Sequence, residues 1–352
     1  MKIKLAILES DAHYLERIMS VFTNNFSDKV EVHGFTSLET TMQNLAKLRV
    51  NVLLSADSFD VDASLLPKHC AFAWFVESGD IEDFKGHRAI SKFQKVELIY
   101  KAVLELFSES VPDDVGLRFE GDSSARIFTF VSASGGAGSS CAAIACAKAL
   151  ATVGKRVLYL NLECFGEADL FFTGQGSLTL HDVIFVLKSK KSNLSIKLES
   201  CVRQDASGVF FFAAPKSALD ITELTEEEIR RLIMDLKITG SYDEIVFDID
   251  FSLDNKTFAV LSKSSAIVFV SDGSEIANAK FIRAYKAIEI QEQQLDSPLL
   301  PRVCVFYNKF GSQTGRKLED GIRELGGAPR YQNATAQQVV SQLVSLGVFQ
   351  KL

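Results

Sequence analysis

An apolar, β-rich run, Ile127-Phe-Thr-Phe-Val131, leads into Ser134-Gly135-Gly136-Ala137-Gly138-Ser139-Ser140, and a small-residue helical stretch follows from Ser139 to Ala151. A glycine cluster between a strand and a helix is the layout of a phosphate-binding loop. Its glycines let the backbone wrap so that several N–H groups point inward, and the helix N-terminus adds positive partial charge. Ser134 through Cys141 are the expected cradle, and the Ser140 hydroxyl stands where such loops place a Mg²⁺ ligand. The usual loop ends Gly-Lys-Ser/Thr, and here the lysine position is Ser139. The pattern is that of a nucleotide site without its main phosphate-facing cation.

Such a loop needs a sheet whose strands deliver their carboxyl ends to one edge, where open α/β sheets bind ligands. Val157–Leu162 reads as a strand, with Asn161 and Glu163 at its end. Tyr242–Asp250 is a strand of bulky apolar residues ending in acids. Asp248 is the acid expected to hold Mg²⁺ through water. Ala266–Ser271 and Arg302–Asn308 are two more apolar strands, the second followed by Lys309. Ahead of all these, residues 1–108 alternate strand and helix signals. Strands are expected at Lys4–Leu8, Val30–Phe35, Asn51–Ser55 and Ala71–Val76, and helices at Tyr14–Phe26, Leu38–Leu48 and Val96–Phe107. That alternation implies an α/β domain with a parallel sheet covered on both faces. Residues 109–124 are rich in Pro, Gly, Ser and Asp and read as a linker, which leaves 125–352 as the nucleotide domain.

With 352 residues the chain is long enough for two domains, and its 47% hydrophobic and 24% charged content is an ordinary globular balance. The net charge of −7 argues against a broad electrostatic footprint on nucleic acid or acidic lipid. The six cysteines contain no Cys-x-x-Cys pair and no zinc-like spacing, so they read as reduced, mostly buried thiols. The N-terminal apolar run is too short for a signal peptide, and no stretch is long enough to span a bilayer. The tail from Thr335 to Leu352 is amphipathic through Val339, Val340, Leu343, Val344 and Phe349. It carries one basic residue, Lys351. It is expected to pack on the domain and not to lie on a membrane.

In order, spacing and flanks, residues 125–352 resemble the MinD/ParA family of deviant Walker-A ATPases. Ser134-Gly135-Gly136-Ala137-Gly138-Ser139-Ser140 matches its loop and Asn161 and Glu163 its two switch aspartates. Asp248 matches the Walker-B acid. The resemblance implies a MinD/ParA-like P-loop fold binding ATP and Mg²⁺, with Asn308 and Lys309 at the adenine. Pro329 and Tyr331 fall in Ala328-Pro-Arg-Tyr331, which lines the base pocket in the family. It also implies a homodimer closed over nucleotide, with Ser134, Asp248 and Glu163–Ala168 near its seam.

Residues 1–108 resemble a response-regulator receiver, a flavodoxin-like domain, with its chemistry eroded. The acidic pair is reduced to Glu9 and Asp11, and the phosphoacceptor register holds Ser55 or Ala56. Asp57 is displaced by one or two residues, and Ser78 and Lys92 stand for the remaining hydroxyl and lysine. Without a carboxylate in register there is no nucleophile for phosphate. A degenerate receiver ahead of such an ATPase resembles the TadZ/CpaE pilus assembly proteins.

That likeness implies a cytoplasmic hub for Flp-type (tight adherence) pili, at the cell pole or peripheral to the inner face of the membrane. Pilus and secretion components would dock on the receiver-like domain. The departures limit chemistry more than binding. Both signature lysines are serines, Ser134 and Ser139. Losing one transition-state donor typically costs ~10²–10³-fold in rate, while the backbone cradle, Mg²⁺ and adenine contacts remain. Weak or no hydrolysis is expected, with Glu163 and, less strongly, Asn161 left to orient water. The alternative is an active ParA/MinD-type ATPase for positioning or partition of cargo, in which another cation such as Lys216 completes the site.

Overall fold

The computed structural model describes residues 2–110, 125–190, 194–239, 241–293, 298–311, 313, 315–318 and 321–352. The chain divides into two compact units. One takes in Met1–Phe119 and Ser189–Cys201, the other Glu120–Lys188 and Val202–Leu352. Of the expected linker, Glu109 and Ser110 end a helix, and the remainder lies outside the described residues.

The first unit runs β1 (Ile3–Leu8), α1 (Ala12–Phe26), β2 (Val30–Phe35), α2 (Leu38–Leu48), β3 (Val52–Ala56), β4 (Ala71–Val76), β5 (Asp83–Phe84), β6 (His87–Ser91) and α3 (Val96–Ser110). Its sheet has the order β2-β1-β3-β4-β6-β5. All pairings are parallel except the β5–β6 hairpin. Side chains alternate across each strand. Ile3, Leu5 and Ile7 join one core with Leu15, Ile18 and Val103, while Ala6 and Leu8 join another with Leu45 and Trp74. The sequence reading passed over β5 and β6. They are short and joined by Lys85-Gly86, both at positive φ, 51° and 77°, as a type I′ turn requires.

The same unit includes a helix from much later in the chain. Ile196 shares the core of Val103 and Phe107. The Glu199 carboxylate accepts from Tyr100 Oη at 3.0 Å and pairs with the Lys29 ammonium.

The second unit runs β7 (Arg126–Val131), α4 (Ser139–Thr152), β8 (Val157–Asn161) and α5 (Leu180–Lys188). The chain then forms the helix just described, α6 (Leu194–Cys201), and returns as β9 (Arg203–Gln204), β10 (Phe210–Phe211), α7 (Ala218–Thr222) and α8 (Glu226–Ile238). It finishes with β11 (Glu244–Asp248), α9 (Asn255–Leu261), β12 (Ala266–Ser271), α10 (Glu275–Glu292), β13 (Val303–Phe310), β14 (Arg323–Pro329) and α11 (Ala336–Ser345). The sheet order is β14-β13-β12-β7-β11-β8-β10-β9, parallel except for β9 against β10.

The small residues of α4 have a packing reason. Ala142, Ala143, Ala145, Cys146, Ala147 and Ala149 are all buried, because the helix has protein on more than one side. The sheet lies on one side, and α11 packs on another through Val340 and Leu343. The tail closes this layer, with Phe349 set 5.9 Å from Phe130 and 5.0 Å from Phe306, ring centre to ring centre. Its apolar residues are thereby spent on the core. Among the described residues no helix is long and apolar enough to cross a membrane.

Candidate functional site

Parallel registry assembles the site. Asp248 stands opposite Asn161 on β8 and Phe130 on β7, so the acid that ends β11 lies beside the start of the glycine loop. Gly136 and Gly138 have φ of 76° and 86°, the left-handed region that glycine enters without penalty. Gly138 is also the α4 N-cap, and no side chain caps the helix. The first-turn N–H groups of α4 therefore have no intrahelical acceptor and are free for an anion. An open cleft of about 380 Å³ lies over them, lined by Ser132 to Ser140, Glu163 and Ile249 to Phe251.

Beside the loop runs a polar network. Ser140 Oγ donates to Glu163 Oε2 at 3.0 Å, and Asn161 Nδ2 donates to the same oxygen at 3.2 Å. Tyr159 Oη, fully buried, donates to Asp248 Oδ2 at 2.7 Å and accepts from Asn161 Nδ2 at 3.0 Å. Asp248 is wholly buried, and its Oδ1 has no hydrogen-bond partner. Burial, and next the charge of Glu163, hold the Asp248 carboxyl well above the usual carboxylate range. An orphaned carboxylate oxygen near a second carboxylate and a hydroxyl fits a hard cation with oxygen ligands. Asn161 Oδ1 accepts from Glu163 N–H at 2.8 Å. A Cβ on Gly166 would stand 2.0 Å from that oxygen, so Gly166 leaves room for the turn.

On the other side of the loop, β13 carries an extra residue between the pairs Tyr307–Gly327 and Phe310–Pro329. Lys309 takes φ 59° in this bulge, and bulges re-aim side chains. Asn308 Nδ2 donates to Ala137 O at 2.8 Å, and Lys309 Nζ to Gly136 O at 2.7 Å. The buried Asn308 Oδ1 is left without a partner. A Cβ on Gly138 would stand 2.4 Å from Asn308 Nδ2.

The fold thus gathers Ser134 to Ser140, Asn161, Glu163, Asp248, Asn308 and Lys309. Cys141 follows in the first turn of α4, partly buried, its thiol pushed up by burial against the opposing charge of Lys309. Pro329 is the last residue of β14, and Tyr331 packs against the core around α4. Like Asn161, Asp248, Asn308 and Lys309, neither is among the residues that line the cleft. Lys216 is exposed ahead of α7 and does not line it either. Sequence reasoning missed Tyr159. The signal was a phenol in the middle of a buried strand, where its hydroxyl must find a partner.

In the first unit, Lys92 Nζ lies 2.6 Å from Glu9 Oε2, with both residues buried. Asp11 caps α1 through the N–H groups of His13 and Tyr14. Ser55 is buried, with its hydroxyl on Ala56 O, and Asp57 is exposed.

Residues 1–108 match the family described as TadZ-like, receiver domain. No curated protein matches the chain. Among solved structures, a ParA family ATPase from Chlorobium tepidum is 22% identical over 65% of this chain and 98% of its own, with a TM-score of 0.52. A plasmid partition protein from Borrelia burgdorferi is 18% identical over 64% and 99%, TM-score 0.49. The septum site-determining protein MinD from Pyrococcus horikoshii, complexed with Mg-ADP, is 16% identical over 63% and 95%, TM-score 0.48.

Proposed function

We propose that this chain, a TadZ-like receiver domain joined to a ParA-type fold, binds ATP–Mg²⁺ in the glycine-loop cleft and uses it to hold a dimer more than to release energy. The observation that carries the reading is the uncapped N-terminus of α4 beside Ser140, Glu163 and Asp248, with no lysine or arginine lining the cleft among the described residues. Ser140, with Asp248 through water, would hold the cation. When bound, Mg²⁺ supplies positive charge at the triphosphate. The backbone N–H groups of the loop bind phosphate oxygens, and Asn308 offers its free Oδ1 to the base. Glu163, tied to Ser140 and Asn161, orients water. With serine at both lysine positions, little in the loop stabilises the charge of phosphoryl transfer, so hydrolysis is weak or absent.

A second copy would cover the nucleotide. In favour of this, Phe165 and Leu253, on loops that follow β8 and β11, are 92% and 57% exposed. Large apolar side chains left in water beside a polar cleft suit an interface. The receiver unit, with its acid site closed by Lys92, would serve as a docking module for components of Flp-type pili. ATP then acts as an assembly ligand, shifting the population by its differential affinity for the dimer.

The test is light-scattering mass without nucleotide, with ATP–Mg²⁺ and with ADP, with phosphate release assayed in the same samples. A dimer favoured by ATP with little phosphate supports the proposal. Brisk turnover refutes it in favour of a working partition-type ATPase.

A further inference from the structure

We infer that the receiver-like unit carries a basic pocket at the amino end of its sheet, and that its occupant is an acidic segment of a partner protein. This rests on the docking role proposed for the unit and names where docking occurs and what chemistry it reads. A pocket of about 630 Å³ opens where β1, β2 and β3 begin, beside the C-terminal end of α2. Lys2, Lys4, Arg49 and His69 line it, and among the described residues Glu31 is its single acid. With the imidazole counted as neutral, three cations face one carboxylate, on a chain whose net charge is −7. Lys47 and Lys68, next in sequence to lining residues, are exposed and have the same sign. The fold uses one of the lining cations. Lys4 Nζ donates to Leu48 O at 2.9 Å, where a cation complements the helix dipole. The side chains of Lys2, Arg49 and His69 have no partner among the described residues. Arg49 ends α2 at φ 54°. Glycine is the usual residue in that position, so the guanidinium is held there at a cost in backbone strain.

The choice of carboxylate over phosphate follows from the backbone. Phosphate sites are built on inward-facing N–H groups. Here those groups are taken. Ile3 N–H donates to Lys29 O, Lys4 N–H to Asn51 Oδ1, Asn51 N–H to Lys4 O and Ala71 N–H to Asn51 O, all at 2.8–2.9 Å. What is left is a set of long cationic side chains and an imidazole around an open hollow. Such groups meet the carboxylates of another protein through charge-assisted hydrogen bonds, and they set partner choice. The opposite end of the same sheet offers no such charge, because Lys92 is closed onto Glu9. The unit therefore has its phosphate chemistry eroded at one end and an open cationic site at the other.

The experiment titrates the full chain into fluorescein-labelled hexaglutamate, read by fluorescence anisotropy at low and high salt. Carbodiimide coupling, which condenses a glutamate carboxylate with a lysine amine, then maps the site by mass spectrometry. We expect binding that weakens at least about fivefold as salt rises from about 0.05 to 0.3 M. We also expect coupling at Lys2 or Lys4, and a loss of about tenfold in Lys2→Gln combined with Arg49→Gly. Both residues are exposed, and glycine suits φ 54°, so unfolding does not account for such a loss. No binding at about 1 mM peptide, a loss below about twofold in the double variant, or coupling only at other lysines overturns the inference. So does displacement of the peptide by less tripolyphosphate than unlabelled hexaglutamate, or tighter binding to phosphatidylglycerol vesicles, since either assigns the pocket to phosphate. The parent and the double variant are then immobilised and offered Flp-type pilus components. Components held by the parent and lost by the variant are the expected result. Components held equally by both overturn the inference and leave the docking reading standing. Components held by neither refute the docking reading, and the inference with it.

Discussion

Replacing Lys92 by methionine tests whether the receiver-like unit has traded its phosphate chemistry for a structural ion pair. Lys92 is 8% exposed and Glu9 2% exposed, and their charged atoms are 2.6 Å apart. Methionine keeps most of the stem and removes the ammonium, which leaves Glu9 as a buried carboxylate with N–H Asp11 at 3.0 Å and the Ser10 hydroxyl at 3.3 Å as its remaining partners. Breaking one side of such a pair costs about 3–5 kcal/mol. With a urea m-value of about 1.5 kcal/mol per molar, the midpoint falls by about 2–3 M. The reporter is built in, because the chain has one tryptophan. That residue, Trp74, is buried at 1% exposure on β4 of the same unit, so its fluorescence follows this unit. Glu9→Leu combined with Lys92→Met removes both charges and should return to within about 1 kcal/mol of the parent or exceed it. A shift below about 0.5 M for Lys92→Met, or a double variant no better than the single, would refute the reasoning.

Further outcomes can be stated for the second unit and for pH. Gly138→Ala forces a side chain to φ 86° and to within 2.4 Å of Asn308 Nδ2. It should weaken ATP–Mg²⁺ binding at least tenfold in calorimetry, about 1.4 kcal/mol or more. Tyr159→Phe leaves Asp248 Oδ2 with only the long 3.4 Å contact from Asn161 and should cost about 1–3 kcal/mol in urea unfolding followed by circular dichroism. Burial pushes the Cys70 thiol up to about 12 and the Cys304 thiol up to about 11. A raised folded value stabilises fully below the unfolded value near 9, and that stability is lost as pH rises from there through 11 and 12. Both thiols should therefore ignore a disulfide reagent at pH 8 until the protein is unfolded, and melting temperature should fall above pH 9.

What could be read from the sequence was what local chemistry dictates. The loop from Ser134 to Ser140 declares itself through glycine spacing between a strand and a helix, and Asp248 through its place at the end of an apolar strand. The elements of residues 1–76 follow from periodicity alone. What stayed hidden depends on neighbours far along the chain. Tyr159 becomes a donor to Asp248 only once β8 pairs with β11. The bulge that turns Lys309 onto Gly136 depends on β14 pairing out of step with β13. Pro329 fell inside a strand because β14, rich in glycine and charge, carries little β signal of its own. The apolar residues of α6 reveal that a face is buried and not against what. A pattern carries no address.

That address matters for how the protein was put together and can be taken apart. The receiver-like unit does not end where its family match ends. A piece of it, α6, is encoded inside the other unit, between α5 and β9. A fragment stopping at residue 108 would lack the Glu199 that meets Lys29 and Tyr100 and the Ile196 that completes the core of α3. A fragment beginning at 125 would carry those residues with nothing to cover them. The two units are therefore not exchangeable modules. A recombination event that swapped one front end for another would have had to replace α6 in step. The two parts are bound to a shared line of descent by a helix that one encodes and the other uses.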